Sequence, residues 1–153
     1  MSLREKFTEN LKAAMHAKDE ITVATLRLII SAMKDKDIAA RTAESREGIK
    51  DEQILSLLQS MVKQRQESIK MYLQGGRPEL ADRESAEIKV IENYLPKQLS
   101  EDEMKAVVQK TIVSIGATTV KDMGKVMAEL KANYSGQMDF SKVGGLVKEK
   151  LAG

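Results

Sequence analysis

Near the C-terminal end, "VKDMGKVMAELK" holds Lys121, Gly124 and Lys125, and "DFSKVGGLVKEKL" holds Lys142, Gly144, Gly145 and Lys148. Lysine beside glycine has a definite chemistry open to it. An ammonium group meets a phosphate oxygen without reading base identity, and a missing side chain lets a large ligand reach the main chain. Tyr134 adds one ring on which a base could stack. A glycine inside a helix costs about 1 kcal/mol against alanine, so both stretches need a reason for theirs. Two reasons compete. Gly124 and Ala128 are four apart and share a helix face, and Gly144–Gly145 offers a matching small patch, so two helices could approach closely there. Alternatively, the small surface is where a nucleic-acid backbone arrives. Packing is the preferred reading for the glycines and phosphate contact for the lysines, with Lys121 and Lys125 on one helix face. Against the second stands the plain fact that lysine-rich helices are usually just solvated.

Other chemistry has little material. His16 is the one histidine, which excludes a two-histidine metal site; its place near a helix end suits a surface or capping role. With no cysteine there is neither a thiolate metal site nor a cysteine nucleophile, and no metal or cofactor is expected. "GATTVKDMGK" spaces Gly116 too far from Gly124–Lys125 for a phosphate loop. Arg27 interrupts the apolar "TLRLII". An internal ion pair with Glu84 or Glu87 is preferred there over an exposed guanidinium that binds phosphate. Arg77 stands in the turn "QGGRPEL", where turn chemistry alone accounts for Gly-Gly and Pro.

The elements that must position these residues are helical. Ser2 and Glu5 form a capping box ahead of Leu3, Phe7, Leu11 and Ala14 at helical spacing. Asp19 caps a second helix bearing Ile21, Leu26, Ile29, Ile30 and Met33. Residues 41–50 read as a loop. A third helix runs from Ile54 to Tyr72 and is capped at Gly75, and Pro78 opens a fourth that ends before Pro96. Ser100 and Glu103 form another capping box, with Glu101, Asp102 and Glu103 in a first turn that favours acids. Gly116 ends that helix, Thr118 or Thr119 caps the sixth, and Asp139 caps the seventh. No segment alternates with period two. The expectation is an all-α protein: a four-helix domain over 1–96, then a small three-helix bundle over 97–153.

Composition agrees. Aromatic residues are 3% of the 153-residue chain and tryptophan is absent, so a core of Leu, Ile, Val, Ala and Met favours helix over sheet. The formal charge is +2, which excludes attachment to nucleic acid by bulk charge alone. Of 25 basic and 23 acidic residues, 16 of each precede Lys97, which leaves 9 and 7 from Lys97 onward. Three of those last acids belong to the capping turn, so the remainder of the small domain is locally basic. The N-terminus has no apolar signal region and no run suits a membrane span, so a soluble, cytoplasmic protein is expected.

Taken in order, "LRLIISAMK", "MVKQRQESIKMY", "GGRPELADRESAEIKVIENYLPKQLSEDEM", "VKDMGKVMAELK" and "VGGLVKEKL" resemble the YqeY-like family over essentially the whole chain. From about Leu99 the chain is also similar to the tail domain of GatB, the B subunit of the glutamine-dependent tRNA amidotransferase; a related domain is appended to some glutaminyl-tRNA synthetases. The resemblance implies a helical N-terminal domain followed by a three-helix tail module of the GatB/YqeY type. It carries over the signature Met123-Gly124-Lys125 with Val143-Gly144-Gly145, and implies tRNA as a partner and a part in the amidation of aminoacyl-tRNA. Carbon–nitrogen ligase activity with glutamine as amide donor enters by family association only. The residues supply no glutaminase nucleophile and no ATP site, so catalysis by this chain alone is not expected. The competing expectation is a helical protein-interaction module, without an RNA partner, that docks through its N-terminal domain.

Overall fold

Side-chain hydrogen bonds mark where the first two helices begin. Ser2 accepts the N–H of Glu5, and the Glu5 carboxylate reaches back to the Ser2 N–H, opening α1 (Leu3–Ala17). Asp19 accepts the N–H of Thr22 and opens α2 (Glu20–Ala39). The turn between them places Lys18 in the left-handed region at φ 57°, a conformation that usually falls to glycine. The computed structural model describes residues 1–152. Among these, α3 (Asp51–Gln74), α4 (Pro78–Glu92), α5 (Glu101–Ile115), α6 (Met123–Tyr134) and α7 (Phe140–Ala152) complete an all-α fold, with a three-residue 3-10 turn at Val120–Asp122. Gly75 is the cap of α3, but the left-handed residue is Gly76, at φ 71°. No described helix is long and apolar enough to cross a membrane.

The chain divides into two compact units, Met1–Leu95 and Pro96–Gly153. In the first, α1 and α2 form one hairpin and α3 and α4 another. Phe7, Leu26, Ile29, Ile54, Leu58 and Ile91 are fully buried between them. Tyr94 closes this core edge-on to Phe7, with ring centroids 4.9 Å apart, and its hydroxyl accepts a hydrogen bond from Asn10.

Two polar clusters complete the first unit. Arg4 donates both ends of its guanidinium to Asp37 at 2.6 and 2.7 Å and also to the carbonyl of Ile49, while the Ile49 N–H returns to Asp37 at 2.8 Å. This clasp fastens the 41–50 loop and carries Ile49 into the core. A Cβ on Gly48 would meet the Arg4 guanidinium and the Asp37 carboxylate, so a side chain there would have to push aside the ends of both members of the clasp. The hydrogen bonds from Arg4, outweighing the effect of burial, hold Asp37 down to a pKa of about 2.

The second cluster corrects an expectation. Glu84 and Glu87 do meet an arginine, but it is Arg65 of α3, whose Nε lies 3.1 Å from Glu87 and 3.9 Å from Glu84. Arg27 is exposed on the outer face of α2. The apolar spacing of α3, Ile54-Leu58-Met61, reaches Arg65 at the next core-facing step, so burial of this arginine follows from the helix period. Burial, and then the neighbouring charge of Glu87, push the Glu84 carboxyl above its ordinary range.

In the second unit α5, α6 and α7 close around Val108, Val126, Leu130, Met138, Val143 and Val147. The incoming strand of chain is tied to the α6–α7 connection by the Leu99 N–H to the Gln137 carbonyl at 2.9 Å and by Gln98 to the Gly136 carbonyl at 2.6 Å.

Candidate nucleic-acid interface

The start of α6 is set by one carboxylate. Asp122 accepts the N–H groups of Thr118 and Thr119 at 2.9 and 3.2 Å, and these bonds hold its pKa below the ordinary value. They close the 3-10 turn, so Lys121 stands in that turn and not, as expected, on one α-helical face with Lys125. Both ammonium groups remain on exposed residues. Asp139 accepts the N–H and hydroxyl of Ser141 at 3.0 and 2.6 Å and opens α7, from which exposed Lys142 and Lys148 project. None of Lys121, Lys125, Lys142 and Lys148 joins an ion pair with a described residue.

The glycines divide. Gly144 is half-buried, and a Cβ there would meet the terminal methyls of Met123 and Met127 at 3.8 and 4.0 Å, so this glycine does lie along the seam between α6 and α7. Gly124 and Gly145 are exposed, and a Cβ on either meets nothing within 4 Å. The expectation of close packing through Gly124 is therefore wrong. The period of α6 explains it: Met123, Val126, Met127 and Leu130 form the inward face, leaving Gly124 and Ala128 outside. What results is an outer surface where the α6 main chain is bare at Gly124, with Lys125 next to it.

Other sites named from the sequence look ordinary in place. Tyr134 packs against the core of its unit and does not stand out as a stacking platform. His16 is exposed in the last turn of α1. Arg77 pairs with Glu79 at 2.6 Å, both largely in water, and that carboxylate is held below its ordinary pKa by Arg77. Among the described residues, no three acidic, histidine or cysteine side chains are placed to hold a metal ion.

Curated relatives share part of the chain. It is 34% identical over 87 residues to "Altered inheritance of mitochondria protein 41, mitochondrial" of Lachancea thermotolerans, covering 57% of this chain and 44% of that protein. The protein of the same name from Vanderwaltozyma polyspora is 34% identical over 87 residues, 57% of this chain and 45% of that one. That of Saccharomyces cerevisiae is 31% identical over 86 residues, 56% and 44%. The chain thus spans less than half the length of the curated relatives it matches. Their mitochondrial names overturn the expectation of a cytoplasmic protein. The lack of an apolar signal region bears on secretion only; mitochondrial leaders are amphipathic and arginine-rich, and that lack says nothing about them. The model for YqeY-like protein matches residues 4–151, which is nearly the whole chain, and the protein therefore belongs to the YqeY-like family.

Proposed function

We propose that this protein is a tRNA-handling accessory related to glutamine-dependent amidation of aminoacyl-tRNA, and that its second unit grips the RNA backbone. The observation that carries the reading is that Gly124 and Gly145 are exposed with nothing against them, each with exposed lysines near it in its own segment of chain: Lys121 and Lys125 in one case, Lys142 and Lys148 in the other. A Cβ at Gly124 would meet nothing within 4 Å, so the fold does not require glycine there, and an RNA backbone approaching the main chain would give it a use. The resemblance of this unit to the GatB tail module supplies the RNA class. Lysines that contact phosphate position an RNA without reading its sequence, so the reading is of a grip and not of base selection. Binding of native tRNA in low salt, by the full chain and by a Lys125→Glu/Lys142→Glu variant, tests it. Affinity should weaken in the variant and fall with salt at a log–log slope of about −3 to −4, as expected for a few phosphate contacts.

A second reading is a protein-interaction module. It is favoured by α2, where Ile21, Leu28 and Ile38 are 38, 48 and 58% exposed. A partner that co-purifies after ribonuclease treatment, and is lost with Leu28→Asp, would support this reading over RNA binding.

A further inference from the structure

The first unit carries a recess of about 350 Å³ between the outer edges of α1 and α2, lined by Leu11, Arg27, Ile30, Ser31, Lys34 and Asp35. Its floor is apolar: Leu11 and Ile30 are half-buried and pack against the core. Its rim is charged and unengaged. Arg27, Lys34 and Asp35 form no ion pair with any described residue, and the Ser31 hydroxyl has no side-chain partner. This sets Arg27 apart from the other arginines of α1, α3 and α4, since Arg4, Arg65 and Arg83 all hold carboxylates.

The spacing on α2 is specific. Arg27 and Lys34 are seven residues apart, two helical turns or about 10 Å, on one face, and Ser31 lies between them. Long side chains from the two ends can close on one anionic group above the Ser31 hydroxyl. The guanidinium would grip it bidentately and the ammonium as a point charge. Asp35, one turn beyond Ser31, opposes a second negative charge at the same place. An apolar floor, two cations on one helix face and a carboxylate beside them together favour a singly charged acid that carries an apolar group.

We propose that this recess is a binding site for a monocarboxylate that carries an apolar group, its carboxylate held by Arg27, Lys34 and Ser31 and its apolar part lying on Leu11 and Ile30. A free acid and the C-terminal residue of a peptide share this chemistry. Because the recess is open, affinity is modest, with a dissociation constant on the order of millimolar.

Amide chemical-shift titration of the full chain separates the sources. The probes are 4-methylvalerate for a free acid, N-acetyl-leucine for a chain end, N-acetyl-leucinamide as the uncharged control, and inorganic phosphate. The proposal expects saturable shifts at residues 11 and 27–35 with at least one of the two carboxylates, and none there with the amide or phosphate. Saturation by N-acetyl-leucine alone would assign the site to a chain end, and by 4-methylvalerate alone to a free acid. The Arg27→Gln/Lys34→Gln variant changes exposed residues only and should lose the carboxylate response while keeping the spectrum of a folded protein. Absence of saturable shifts with both carboxylates, an equal response to the amide or phosphate, or an undiminished response in the variant would overturn the proposal.

Discussion

Gly124 shows how a single residue separates two accounts that the sequence leaves level. Glycine in a helix suggests close packing, and the four-residue step to Ala128 strengthens that suggestion. The period of α6 points both outward, and a Cβ at 124 touches nothing. The replacement Gly124→Ala should therefore stabilise the protein by about 0.5–1 kcal/mol, the helix-propensity gain at an exposed interior position. Chemical denaturation would read that gain, and a loss of stability would mean that Gly124 has a structural role after all. In the proposed function the same variant should weaken tRNA binding, because the methyl stands where the ligand approaches the main chain. Gly144 behaves otherwise: it faces Met123 and Met127, and a Cβ there would make ordinary contact with their terminal methyls. Arg27 and Arg65 form the complementary lesson. The acids Glu84 and Glu87 do meet an arginine, and the α3 period Ile54-Leu58-Met61 sets Arg65 on the inward face, whereas Arg27 stood out only because it interrupts an apolar run.

At the level of elements, the helices were legible because their punctuation is chemical. Ser2–Glu5, Asp19, Pro78, Ser100–Glu103 and Asp139 each stand at a helix start. Lys121 was misplaced because Asp122 closes a 3-10 turn, and a turn of three residues leaves no periodic trace. The clasp on the 41–50 loop was not legible either, since Arg4, Asp37 and Ile49 meet only after the chain folds back. Asp37→Asn should cost about 1–2 kcal/mol, the lower part of the range for a charged hydrogen bond, since Arg4 keeps part of its side chain in water. Asp37 has a folded pKa of about 2, below the ~3.9 of an unfolded chain. Its contribution is thus complete above the unfolded value and is lost as pH falls from about 4 toward 2. Acid titration of stability should show that loss in the parent protein and a smaller one in Asp37→Asn; equal curves would mean that the clasp carries no weight. In the other cluster, Arg65→Ala leaves the buried Glu87 only the longer contact to Arg83, 3.7 Å away on the same helix, and should cost up to about 3 kcal/mol. A loss below about 1 kcal/mol, the range of surface pairs, would show that solvent already shares this pair.

For the molecule as a whole, the near-balance of charge makes the proposed RNA binding a local property of one unit. A chain of formal charge +2 does not hold RNA by its overall field. Exposed lysines of the second unit, none of them in an ion pair with a described residue, can do so weakly, in a way that salt removes. Family membership was legible in the order of motifs along the chain, because those motifs span both units. Cellular location was not, because the composition of a folded chain is much the same in cytosol and mitochondrion. The most direct test of the central claim is the affinity of the full chain for native tRNA across a salt series, with Lys125→Glu/Lys142→Glu beside it. The account predicts measurable binding at low salt that declines steeply with added salt and weakens at least tenfold in the variant, as ~1.4 kcal/mol of lost phosphate contact would require. No binding at low salt, or binding that the variant leaves unchanged, would contradict it.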